Sequence, residues 1–221
     1  APRALSDALG AEFGPAASEG EQMRALLRAL HTALPRDASV AADVCRLAYV
    51  AWSLWPARSP RRFLYPVGAG PLGFGLPAAI GAALARPGRP VAVLVGDGGF
   101  QFSMQELVVA AERRLPLLVV LWNNRCLGEV LLHVGSTLRL PKTKTSFSPT
   151  VRSHLGDAFA NFDPASALPD FGALCVACGA AHVRCHSAAE AAAALSSDAA
   201  LGRALRGEAG PVVLEVLRPM A

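Results

Sequence analysis

A carboxylate and a carboxamide stand in this sequence where a divalent cation could use them. Asp97 follows the apolar run Val91 to Val95 within Gly96-Asp97-Gly98-Gly99, and Asn124 closes the next such run, Leu117 to Trp122, 27 residues further on. Runs that are apolar at every position belong to strands buried on both faces of a parallel sheet. One strand-helix-strand crossover separates the two side chains. Both then stand at the carboxyl ends of neighbouring strands, where open α/β sheets bind ligands. A carboxylate, an amide oxygen and a nearby backbone carbonyl are hard donors suited to Mg²⁺, an ion often shared with phosphate groups. A second feature, Gly68-Ala69-Gly70-Pro71-Leu72-Gly73, has the spacing of a dinucleotide-binding turn between strand and helix. Pro71 inside the turn argues against that use, as does the lack of any acid ending the next strand except Asp97 itself. A Rossmann-type oxidoreductase is therefore the alternative from another class.

These residues need a frame. Met23, Leu26, Leu27, Leu30 and Leu34 recur at helical spacing up to Pro35, and Ser39 to Val44 reads as a short strand. Arg62 to Val67 is a second strand candidate, followed by an Ala-rich helix from about Phe74 to Ala85. The spacing predicts helices over Ser103 to Arg114, Phe171 to Cys178 and Ser187 to Arg206, with strands at His182 to Cys185 and Val212 to Leu217. Strands alternating with helices imply right-handed crossovers, hence an α/β fold: a three-layer, doubly wound parallel sheet with helices on both faces. Residues 1–22, rich in Ala, Gly, Ser and Glu, read as a linker or arm from a preceding domain, and 23–221 as one domain. Residues 135–169 break the rhythm with a long polar connection expected to be a lid, a binding loop or disorder.

The stretch GDGGF at Gly96 to Phe100, its interval to the second Asn of Leu121-Trp122-Asn123-Asn124, and GPLGFGLPAAIGAALA upstream together carry a resemblance. The chain resembles the diphosphate-binding domain of thiamine diphosphate (ThDP) enzymes of the acetolactate synthase and benzoylformate decarboxylase group, over about Leu26 to Leu217 outside the long loop. The resemblance implies that Asp97 and Asn124 bind Mg²⁺ through their side chains and Cys126 through its main-chain carbonyl. It implies a cofactor-binding set of Gly96, Gly98, Gly99 and Gly128, with amides at the start of the helix near Ser103 meeting the diphosphate. Leu72 takes the place of the bulky residue that keeps the cofactor bent, and the Gly70 carbonyl accepts from its 4′-amino group. Cys45 and Arg46 stand where relatives have a glycine and a polar residue near the diphosphate. The activating Glu is expected on a pyrimidine-binding domain of the same or another subunit, so no catalytic residue is assigned here.

The enzyme so implied decarboxylates or ligates a 2-oxo acid, either acetolactate synthase-like or a decarboxylase of a basic or aromatic 2-oxo acid of the guanidino-oxopentanoate or benzoylformate type. It is expected to be a homo-oligomer, and this chain alone inactive. Glu129 and His133, four apart on one helical face, are candidate substrate contacts; Lys142 and Lys144 read as solvated loop.

Composition narrows the rest. With 21 basic and 17 acidic side chains the net charge is only +4, and the basic residues form no run, which speaks against nucleic acid. No apolar stretch approaches the roughly 20 residues a membrane span needs. An odd set of 5 Cys at irregular spacing predicts no disulfide framework and a reducing, cytoplasmic setting. Cys175, Cys178, His182, Cys185 and His186 could be drawn as a zinc site, but small core residues on a helix explain the cysteines better.

Overall fold

The apolar runs dictate a sheet, and the computed structural model, which describes residues 17–125, 127, 169–208 and 210–217, contains one of six parallel strands. In chain order the elements are α1 (Ala17–Ala33), β1 (Ser39–Ala42), α2 (Arg46–Leu54), β2 (Phe63–Leu64), α3 (Gly75–Ala85), β3 (Val91–Gly96), α4 (Asp97–Ser103), a 3₁₀ turn (Met104–Glu106), α5 (Leu107–Glu112) and β4 (Leu117–Asn123). After the long connection come α6 (Phe171–Ala177), β5 (Ala181–Cys185), α7 (Ala188–Ser197), α8 (Ala199–Leu205) and β6 (Val212–Leu217). The strand order is β2-β1-β3-β4-β6-β5.

Alternate residues of the central strands feed two cores. Ala92, Leu94, Leu118, Val120, Leu214 and Val216 pack under α1, α2, α7 and α8. Val93, Val95, Val119, Leu121 and Val213 pack under α3, α4, α5 and α6. This is the expected three-layer arrangement, with every residue of β3 and β4 buried. The strand order reverses between β1 and β3, so the crevice beyond their carboxyl ends is where such a sheet binds ligands.

Several boundaries differ from expectation for local reasons. The first helix begins at Ala17 and takes in positions expected in the linker, because Glu19 is drawn onto β4 and α2. β2 shrinks to two residues at the sheet edge; Pro66 has no N–H for a ladder, and Val67 is 82% exposed. The helix after β3 starts at Asp97 rather than Ser103, with a 3₁₀ turn before α5. The expected Ser187 to Arg206 helix divides at Asp198, whose extended backbone ends α7 while its carboxylate caps α8 by accepting from Ala200 N (2.8 Å) and Leu201 N (3.0 Å). At the other end of α7, the N-cap Ser187 Oγ accepts from Glu190 N, and the Glu190 carboxylate accepts from His186 N one residue before the cap. Among the described residues no helix is long and apolar enough to cross a membrane.

Candidate functional site

Parallel register brings the metal candidates together. Gly96 pairs with Trp122 across β3 and β4, so Asp97 and Asn124 leave the ends of adjacent strands at nearly the same height. Both are buried, at 3% and 4% exposure. Because α4 starts at Asp97, the Gly98 and Gly99 amides lie in its first turn; Gly98 N donates to Asp97 Oδ1 (2.9 Å). Arg125 takes a left-handed φ of +61°, turning the chain away immediately after Asn124. Arg125 N donates to Asn123 Oδ1 (3.1 Å), so the first asparagine of the pair holds the turn that carries the second.

A residue that sequence reasoning passed over ties this end of the sheet together. Asp43, fully buried, follows β1 as Asp97 follows β3. Its Oδ1 accepts from Val44 N (2.8 Å) and Gly73 N (3.2 Å), and its Oδ2 from Gly75 N (2.7 Å). It thereby caps α3 from 32 residues away, supplying the acceptor that Phe74, the residue at the N-cap, does not. The glycines around it are required by space: a Cβ on Gly99 would stand 2.6 Å from Asp43 Oδ1, and one on Gly75 3.0 Å from Asp43 Cβ. The signal was available, a second acid directly after an apolar strand.

The turn between β2 and α3 holds Gly70 and Leu72. Gly68, Gly70 and Gly73 all have positive φ, and a Cβ on Gly73 would stand 2.8 Å from Phe102 Cβ of α4. The turn is thus laid against α4 on one side and hung on Asp43 on the other, and a Cβ on Gly70 would stand 3.8 Å from Val44 Cγ2. At Gly98 a Cβ would overlap the Leu127 side chain, so Leu127 covers that glycine.

Cys45 and Arg46 begin α2. Cys45 is the N-cap residue; its Cβ would lie 3.0 Å from one placed on Gly96, and burial pushes its thiol up to about 12, keeping it neutral. Arg46 is buried at 7% exposure and pairs with Glu19 of α1 (3.1 Å), whose other carboxylate oxygen accepts from Trp122 Nε1 (3.0 Å). Sequence reasoning placed Glu19 in a linker and so missed this clamp between α1, α2 and β4.

The third unforeseen residue is Glu215, 1% exposed in the middle of β6. It accepts from Asn123 Nδ2 (2.6 Å) and Arg184 Nε (2.8 Å), and bonds His182 Nε2 (2.8 Å). Burial alone would raise its carboxyl, but the bonds from His182, Asn123 and Arg184 outweigh that and hold it at about 2. His182 is thus committed to a carboxylate and Cys175 is buried in the core. Among the described residues no group of three metal-ligating side chains forms, so the zinc drawing has no counterpart there. Cys45, Cys175, Cys178 and Cys185 are free thiols. Cys126, Gly128, Glu129, His133, Lys142 and Lys144 lie outside the described residues.

Comparison with known proteins gives the family of this domain. Residues 43–216 match the family model described as thiamine pyrophosphate enzyme, C-terminal TPP binding domain. The chain is 46% identical over 135 residues to a Pseudomonas aeruginosa protein described as "Probable 2-ketoarginine decarboxylase AruI", an overlap covering 54% of this chain and 24% of that protein. It is 38% identical over 113 residues to the large subunit of acetolactate synthase isozyme 1 of Escherichia coli, covering 51% of this chain and 20% of the relative. The solved ThDP-dependent 4-hydroxybenzoylformate decarboxylase of Rhodococcus jostii superposes with a TM-score of 0.66 at 25% identity, over 89% of this chain and 32% of that one. The chain therefore spans about a quarter of the length of the curated relatives it matches.

Proposed function

This chain belongs to the thiamine pyrophosphate enzymes, as their C-terminal TPP-binding domain, and on that premise we propose that it anchors the diphosphate of ThDP through Mg²⁺ within an enzyme that decarboxylates or ligates 2-oxo acids. The observation that carries the reading is the pair of buried oxygen donors, Asp97 and Asn124, at the ends of adjacent strands beside the switch point. A carboxylate and a carboxamide are what a hard cation prefers. The donor set fits the group.

Asp97 and Asn124 would hold the ion by their side chains, with Cys126 assigned to it through its carbonyl by the family resemblance alone. Gly96, Gly98 and Gly99 would let backbone approach the diphosphate, Gly128 is assigned there by the family resemblance alone, and Gly70 and Leu72 would meet the middle of the cofactor. Cys45, neutral and packed over Gly96, contributes shape, and Arg46 contributes positive charge already balanced by Glu19. Bound there, ThDP supplies a nucleophilic carbon for the 2-oxo acid and a sink for the electron pair left when CO₂ departs. The activating carboxylate comes from a pyrimidine-binding domain of the same or another subunit, in a homo-oligomer. A basic 2-oxo acid is the substrate favoured by the 46% identity to the 2-ketoarginine relative; pyruvate chemistry of the acetolactate synthase kind is the second reading. Glu129 and His133 are the side chains we assign to substrate.

Asp97→Ala tests the core of this proposal. In the full-length enzyme it abolishes Mg²⁺-dependent ThDP binding by calorimetry while far-ultraviolet circular dichroism stays unchanged; unaltered affinity would remove Asp97 from the metal site.

A further inference from the structure

An acid in the interior of an apolar strand is costly unless something uses it. Glu215 interrupts Val212-Val213-Leu214-Glu215-Val216-Leu217 on the face that packs under α3 to α6. In register it lies between Leu121 of β4 and Arg184 of β5. A leucine there would simply extend the core. Instead the carboxylate reaches two residues along β4 to Asn123, the diagonal neighbour on the same face.

Three observations point the same way. Asn123 spends both ends of its carboxamide: Nδ2 on Glu215 and Oδ1 on Arg125 N. Arg125 is a non-glycine residue in left-handed backbone, a conformation that persists only when its surroundings impose it. Arg184, the second donor to Glu215, also reaches Asp170 Oδ1 (3.1 Å), and Asp170 caps α6 through Gly172 N and Ala173 N. The two ends of the connection from β4 to α6 are thereby tied to one carboxylate.

We infer that Glu215 is a positioning residue for the metal site: through Asn123 it locks the left-handed turn at Arg125 and so sets the direction of Asn124. The inference rests on the reading of Asp97 and Asn124 as metal ligands. It assigns Glu215 no contact with substrate or cofactor. Its action runs in series, Glu215 to Asn123 to the Arg125 amide, so breaking either link should produce the same loss. His182 and Arg184 hold the carboxylate from the β5 side.

The test uses Mn²⁺ as the probe, with saturating ThDP, reading free ion by electron paramagnetic resonance, and follows Arg125 amide exchange without ligands. Glu215→Gln keeps shape and removes the charge; Asn123→Ala removes both bonds and serves should Glu215→Gln fail to fold. Each is expected to weaken Mn²⁺ binding at least tenfold and to speed Arg125 exchange, and the double variant to be no weaker than the weaker single. Leu195→Ala, a cavity in the opposite core, lowers stability but leaves the Mn²⁺ dissociation constant within twofold. Mn²⁺ affinity in Glu215→Gln within twofold of the unaltered chain overturns the inference, as do losses that multiply in the double variant. All variants are made in the full-length enzyme, and failure of the unaltered full-length enzyme to take up Mn²⁺ overturns the metal reading itself, and the inference with it.

Discussion

Replacing Asp43 by Asn changes one atom and the charge, and the structure says what that atom does. The carboxylate accepts three backbone N–H groups, two on Oδ1 and one on Oδ2, at 2.7 to 3.2 Å and with no exposure to water. Whichever way an asparagine carboxamide turns, its NH₂ must face at least one of those donors. Leaving one buried donor unsatisfied costs about 2–3 kcal/mol, towards the upper end because the lost acceptor was charged and faced the start of α3. For a domain of this size each kcal/mol is worth roughly 2–4 °C, so the melting temperature should fall by about 5–10 °C. The same energy appears locally: at 1.36 kcal/mol per decade, exchange of the Gly73 and Gly75 amides should quicken by roughly 30- to 160-fold. Hydrogen exchange with mass spectrometry over peptides spanning 68–76 reads this directly, while amides of β4 serve as the internal reference. Unchanged protection at Gly73 and Gly75, with a melting shift below about 2 °C, would mean that the turn is held by its own glycine conformations and that Asp43 is not its anchor.

Two other expectations follow from the cited geometry. Glu215 has a folded value of about 2 against an ordinary 4.5, so its ionised form stabilises the fold fully above the ordinary value. That contribution is lost as pH falls from about 4.5 towards 2, and Glu215→Gln should flatten the acid limb of a stability profile measured by urea unfolding. Asp198→Ala removes the cap on α8 and should cost about 1 kcal/mol in thermal unfolding, whereas Asp198→Ser should recover most of it.

How much of this molecule could be read from its sequence depends on how far each residue's partner lies along the chain. β3 and β4 were legible because doubly buried strands announce themselves residue by residue, and the helical stripe of Met23 to Leu34 did the same for α1. Boundaries set by a single side chain were not. Asp198 sits inside an Ala-rich run whose propensity is helical throughout, and only its carboxylate turned back onto Ala200 and Leu201 breaks it. Glu19 pulls α1 forward through contacts with Arg46 and Trp122, one of them 103 positions away. No local pattern encodes that.

The site divides in the same way. Asp97 and Asn124 could be found because each ends a recognisable strand, and the crossover between them is one standard unit. The residues that position them were hidden because their meaning is tertiary. Asp43 reads as part of the strand Ser39 to Val44 until Gly73 and Gly75 are brought to it from 30 and 32 positions away. Glu215 reads as an isolated acid until β5 and β4 flank it with Arg184, His182 and Asn123. Yet both carried a signal of one kind, a charge in or at the end of a strand that otherwise buries everything. Desolvation makes such a charge untenable without several donors, so its presence already states that donors converge there. For Asp43 the donors belong to the turn that shapes the ligand crevice, and for Glu215 one of them, Asn123, ends the strand that leads to Asn124, so the unexplained acids of the strands point to the site as its glycines do.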